Sequence, residues 1–185
     1  MKHLLIFGST MIASWFIVTY FLPRMLLNVF KKAILVKGFG DGPIPLNTLY
    51  TQRQELFADP LASGSHLMTT GVNRDTLITI SWLDLSKGPQ ILHVPEMDGR
   101  YYSVQFTDPS KNINFAYVGK RTTGTQAGDY LICVPSFKGD VPQGMSQISS
   151  PNNSVLVIGR VLVHSDSDLP AAYELSKQIQ IFSST

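Results

Sequence analysis

Arginines and carboxylates supply the residue types in this chain best suited to chemistry. Arg74-Asp75, Asp84, Asp98, Arg100, Asp108, Arg121 and Arg160 fall in or beside segments that read as strands. A guanidinium cannot give up its charge, and its planar fork of donors matches carboxylate and phosphate. Arg160 is the sharpest case. It interrupts an apolar run with Ile158 and Leu162 on its own face, so burial there demands carboxylate or carbonyl partners. Two roles stay open: a structural ion pair, or a pocket arginine that clamps a carboxylate or phosphate. Arg100-Tyr101 and Arg121-Thr122-Thr123-Gly124 offer the same donors at strand ends beside loops. With Arg74 and Asp75 they make the candidate ligand-binding set Arg74, Asp75, Arg100, Tyr101, Arg121 and Arg160.

Other constellations point to bland roles. The histidines are His3, His66, His93 and His164, and none pairs at a metal-ligand spacing such as His-x-x-x-His, so they read as hydrogen-bonded structural residues and no metal is expected. No Gly-x-Ser-x-Gly elbow exists, and the adjacency of Ser65 and His66 does not make a nucleophile and base. Asp166-Ser167-Asp168 lacks the third acid and the glycine of a calcium loop and reads as a helix cap. Cys133 sits in the apolar run Leu131-Ile132-Cys133-Val134 and, as the lone cysteine, reads as a small core residue. No basic stripe follows Gln52, which removes the electrostatic case for nucleic acid. No catalytic residue, cofactor or reaction is indicated.

The elements that must position these residues begin with an uncharged apolar run at residues 4–22, close to the ~20 residues a helix needs to cross a bilayer. Its end, Tyr20-Phe21-Leu22-Pro23-Arg24, lacks the small-x-small pattern of a cleavage site, so a retained anchor is expected rather than a signal peptide. Residues 25–36 set Leu26, Leu27, Val29, Phe30 and Leu35 near Lys31 and Lys32, as in a helix lying at the interface. More positive charge follows the run than precedes it, which by the positive-inside rule favours a cytoplasmic domain. Glycines and prolines at residues 37–45 read as a hinge. The expected organisation is an anchor and juxtamembrane helix at 1–37, a linker at 38–47, and one β-rich domain at 48–185.

Within the domain, Leu49, Leu56 and Phe57 predict a short helix over 46–57, stopped by Asp59-Pro60. Strands are then predicted at 76–82, 90–94, 101–107, 114–118, 129–134 and 154–163, separated by turn residues. The first two read as neighbours. Strand 101–107 alternates cleanly, with Tyr102, Val104 and Phe106 on a core face and Ser103, Gln105 and Thr107 on a face that is wet or lines a site. The run 154–163 is apolar on both faces and reads as central. A closing helix starts near Pro170 and buries Ala172, Leu175, Ile179 and Phe182. The fold class is a mainly β sandwich with peripheral helices, preceded by one transmembrane helix.

An ordered series of motifs adds to this reading: Gly71-Val72-Asn73-Arg74-Asp75-Thr76-Leu77, Leu83-Asp84-Leu85-Ser86-Lys87-Gly88-Pro89, Pro95-Glu96-Met97-Asp98-Gly99-Arg100-Tyr101-Tyr102, Val118-Gly119-Lys120-Arg121-Thr122-Thr123-Gly124, Gly159-Arg160 and Asp168-Leu169-Pro170-Ala171. Over residues 70–182 the chain resembles the domain of unknown function numbered family 1254. The resemblance implies a jelly-roll-like domain, usually in exported bacterial proteins, followed in longer relatives by a domain of family 1214. Two motifs depart from the family: Ile78-Thr79 stands where it tends to have Tyr-Ser, and Val134-Pro135-Ser136-Phe137 replaces its Gly-Pro-Gly-Trp turn. The resulting expectation is a single-pass protein of the bacterial inner membrane, held in the lipid bilayer by residues 4–22 with its domain in the periplasm. It would act as a binding or assembly module that pairs with a separate family 1214-type protein. An enzyme or small-molecule receptor with an Arg/Asp-lined pocket is the alternative.

Overall fold

The computed structural model describes residues 2–38, 42–52 and 75–184, with backbone alone for residues 2–10, 12 and 13. Arg74, His66 and residues 53–57 of the helix predicted over 46–57 lie outside the described residues. The chain divides into two compact units, Met1–Pro43 and Ile44–Thr185.

The first unit is built on one helix, α1 (Lys2–Lys37), unbroken where a span and a separate interface helix were expected. Pro23 lies inside it and lacks the N–H that would bond the Thr19 carbonyl. Side chains brace this weak point. Arg24 Nη1 donates to the Tyr20 carbonyl at 2.6 Å, with its guanidinium 3.7 Å above the Tyr20 ring, and Thr19 Oγ1 donates to the Trp15 carbonyl at 2.8 Å. Among the described residues, no helix is long and apolar enough to cross a membrane. The described side chains take in only Met11 and the part of the 4–22 run from Ser14 onward.

The second unit is mainly β, with two sheets. One has five strands in the order β1 (Tyr50–Thr51), β2 (Thr76–Asp84), β8 (Ser154–Leu162), β4 (Tyr102–Asp108) and β5 (Ile113–Gly119). The other has four, in the order β7 (Ser146–Ser149), β6 (Gly128–Cys133), β3 (Gln90–Val94) and β9 (Gln180–Ser183). Pairing is antiparallel except between β6 and β7. Alternation explains the core: Tyr102, Val104 and Phe106 of β4, with Val155, Val157 and Val161 of β8, form one buried cluster with Leu92, Val94, Ile132 and Ile181 of the other sheet. Strand β8 is central, as its apolar run predicts, and pairs with β2 and β4.

Three expectations fail. Strands β2 and β3 are not neighbours, because the chain passes through a short 3-10 turn at Leu85–Lys87 and crosses to the second sheet. Residues 46–52 hold a turn and the short β1 rather than the start of a helix, and Asn47 binds the edge of β2 through Asp84 N and O. Helix α2 (Leu169–Gln178) buries Ala172 and half-buries Leu175, but it ends before Ile179, so Phe182 falls on β9 and is exposed.

Candidate functional site

The outer face of the five-stranded sheet carries a groove of about 270 Å³. Ladder register builds its floor: Arg160 of β8 lies opposite Ser103 of β4, which lies opposite Gly119 of β5, and in the next row Gln105 faces Tyr117. Gly119 is required by this closeness. A Cβ there would lie 2.6 Å from the Tyr102 carbonyl oxygen and 2.9 Å from Ser103 Cα. Beyond Gly119 the chain turns tightly, with the Thr122 and Thr123 N–H groups both donating to the Gly119 carbonyl. Lys120 Nζ reaches the Gly99 carbonyl at 2.5 Å and ties this turn to the start of β4. The turn delivers Arg121, whose guanidinium lies 5.4 Å from the centre of the Tyr101 ring, within cation–π range.

The groove therefore gathers Tyr101, Arg121 and Arg160, three of the six candidates read from the sequence. Both arginines are exposed, and among the described residues neither is held by a carboxylate or a carbonyl. Arg160 thus departs from the expected buried arginine. Its neighbours Ile158 and Leu162 are only half-buried, so that stretch of the outer face is not fully covered. Among the described residues, no carboxylate lines the groove. Tyr117 forms part of its wall and is held by a polar relay across β4 and β5: Gln105 Nε2 donates to Thr107 Oγ1 and Asn114 Oδ1, Thr107 Oγ1 donates to Asn114 Oδ1, and Asn114 Nδ2 donates to the Tyr117 hydroxyl at 2.8 Å. The sequence reading missed Tyr117 and Asn114, although the wet face assigned to strand 101–107 already held Gln105 and Thr107.

Of the other candidates, Arg100 and Asp75 lie elsewhere, and Arg74 is outside the described residues. Arg100 forms a bidentate pair with Asp168 at 2.6 and 2.8 Å and donates to the Leu162 carbonyl. Asp168 also accepts the His164 N–H. The Arg100 hydrogen bonds hold the Asp168 carboxyl down at about 2, against the opposing effect of burial, and the Arg100 guanidinium is pushed up in return. The aspartate expected to cap α2 makes no capping hydrogen bond and instead secures Arg100. Arg100 borders a separate cavity of about 500 Å³ with Glu96, Asp98, His164 and Glu174. Asp75 is exposed at the start of β2 and lines neither cavity. Asp108 ends β4 and holds the turn that follows: burial opposes its charge, but hydrogen bonds from the Ser110 hydroxyl and N–H outweigh this and hold its carboxyl below the usual range. His93 Nδ1 meets Asp129 Oδ1 at 2.7 Å across the β3 and β6 pair, a structural partnership of the kind expected. Cys133 is buried. Among the described residues, no three His, Cys, Asp or Glu side chains could hold a metal.

Comparison with known proteins places this fold. The model of the family described as "Protein of unknown function (DUF1254)" matches residues 52–182. The chain belongs to that family. Among solved structures it is similar to the VPA0106 protein from Vibrio parahaemolyticus, with 24% identity and a TM-score of 0.64 over 87% of this chain and 35% of that one. The chain thus spans about a third of the Vibrio protein's length. An uncharacterised protein from Burkholderia cenocepacia aligns at 12% identity and a TM-score of 0.40, over 63% of this chain and 31% of the other. No curated protein matches the chain.

Proposed function

We propose that the domain is a binding module whose outer-face groove takes the anionic group of a small ligand through Arg121 and Arg160. The observation that carries this reading is the pairing of two exposed guanidinium groups in one groove with no carboxylate among the described residues of its lining. Donors left without a protein partner are free to clamp a carboxylate or phosphate. Binding is favoured over catalysis because, among the described residues of the lining, the hydroxyls of Ser103, Thr122 and the tyrosines have no His, Asp, Glu or Lys beside them to activate them as nucleophiles. Replacing Arg160 by Met tests it, with calorimetric titration of acetate and of inorganic phosphate. The folded variant should lose binding while its thermal unfolding is unchanged, since among the described residues the Arg160 side chain forms no ion pair. Unaltered binding would sink the clamp.

A second reading concerns where and with what the module works. Residues 4–22 anchor the chain in the bacterial inner membrane, with a jelly-roll-like domain on the periplasmic side and a family 1214-type protein as its partner. Support comes from the uncharged apolar run and from Trp15, Phe16, Ile17, Phe21 and Leu22, all exposed along α1. The partner rests on the family resemblance, which implies a family 1214 domain beside this one in longer relatives. Native co-purification from membranes in mild detergent should recover a stoichiometric second protein, and recovery of this chain alone would count against the pairing.

A further inference from the structure

We infer that the ligand of the groove is a carboxylated sugar ring of the uronate type; the inference rests on the anion-binding reading above and narrows its chemistry. An inorganic anion needs only the two guanidinium forks. The groove offers more. Tyr117 is 47% exposed, and its hydroxyl is held by Asn114, which Gln105 and Thr107 hold in turn. Because its oxygen accepts from Asn114 Nδ2, the phenolic proton is directed away from that bond and is available to a ligand hydroxyl. Ser103, Gln105 and Thr122 add neutral hydroxyl and amide groups to the same lining. An apolar aromatic face edged by hydroxyls and amides suits a pyranose, which has C–H groups on its faces and hydroxyls around its rim.

Size and polarity restrict the choice further. About 270 Å³ lies just under the roughly 300–1,000 Å³ typical of drug-sized ligand sites, so one sugar unit fits better than a nucleotide. Among the described residues of the lining no aliphatic side chain is exposed, since Val118 is buried in the core, so within the groove itself an acyl chain finds only the tyrosine rings to lie against. The acid is placed at the Arg121 and Arg160 end of the groove, and the ring lies toward Tyr117.

The test is calorimetric titration of the full chain, in a detergent without a sugar head group, with galacturonate, glucuronate, galactose and inorganic phosphate as probes. At least one uronate, as the free acid or as a short oligomer, should bind ten or more times tighter than galactose or phosphate. Tyr117→Ala should weaken uronate at least tenfold and leave phosphate unchanged, and Arg160→Met should weaken both. Tyr117→Phe, which keeps the ring, should fall between wild type and Tyr117→Ala and covers the case in which the alanine variant does not fold. Phosphate binding as tight as uronate binding, indifferent to Tyr117, overturns the sugar inference and leaves the anion site standing. Galactose binding equal to uronate, or no binding of any probe, overturns both.

Discussion

The clasp between Arg100 and Asp168 has a pH signature that can be worked out from its geometry. Asp168 accepts two hydrogen bonds from Arg100 and one from the His164 N–H, and its carboxyl sits at about 2 instead of 3.8. A depression of that size favours the ionised folded state by ~2 kcal/mol. Side-chain exposures of 16% for Arg100 and 18% for Asp168 admit some solvent, and screening reduces the expected contribution to about 1 kcal/mol. The folded carboxyl has the lower pKa, so the contribution is complete above the unfolded value and is lost as pH falls through the folded one, between about pH 4 and pH 2. Asp168→Asn removes the charge and with it this dependence. Urea unfolding of the full chain in mild detergent, followed by tryptophan fluorescence, should find wild type more stable than Asp168→Asn by about 1 kcal/mol at pH 6, with the gap closing toward zero near pH 2. A gap that stays constant across this range, or no gap at pH 6, refutes the clasp as an ionic contact and leaves it a packing contact only.

Three further outcomes are expected. Gly159→Ala would place a Cβ 2.1 Å from the buried Thr79 Oγ1 and should destabilise the domain by about 1–3 kcal/mol, with much of the loss recovered in the Gly159→Ala, Thr79→Ala double variant; equal unfolding curves for wild type and Gly159→Ala contradict the packing. Burial pushes the Tyr102 phenol above its ordinary 10.0, against a smaller downward pull from Thr123, so stability should fall as pH rises past about 10 and this fall should be shallower in Tyr102→Phe, as read by unfolding at pH 9 and pH 11. Cys133 is 1% exposed, so a thiol reagent should label it only as fast as the domain opens, and immediate stoichiometric labelling of native protein would place that thiol at the surface instead.

Strong alternation made the main strands legible, and strand 90–94 coincides with β3 because Pro89 and Pro95 bracket it. Short strands were not legible. Ser146–Ser149 has one apolar residue in four, and Tyr50–Thr51 is too brief to show a period. Strand β9 was read as a continuation of α2 because Ile179 and Phe182 continue the helical spacing of Ala172 and Leu175, and only pairing with β3 distinguishes the two. The Leu85–Lys87 turn looks like a hairpin in sequence, and nothing local records that it changes sheets. Asp168 was misread for a similar reason: capping and ion pairing use the same residue type at the same position, and the deciding partner, Arg100, is 68 positions away. At Arg160 the error was one of coverage. A strand apolar on both faces was taken to be covered on both, whereas Ile158 and Leu162 remain half-buried and Arg160 reaches solvent. Three of the six candidate residues nevertheless met in one groove, because strand register places β8 beside β4 and β4 beside β5.

The most direct test of an anion site at Arg121 and Arg160 is a nuclear magnetic resonance titration that follows the arginine side-chain Nε–Hε signals of the full chain as galacturonate is added at constant ionic strength. The Arg121 and Arg160 signals should shift together along one saturable curve while the Arg100 signal, secured by Asp168, stays in place. Signals that all drift linearly with added anion, or a saturable shift confined to Arg100, would contradict the assignment of the groove as the binding site.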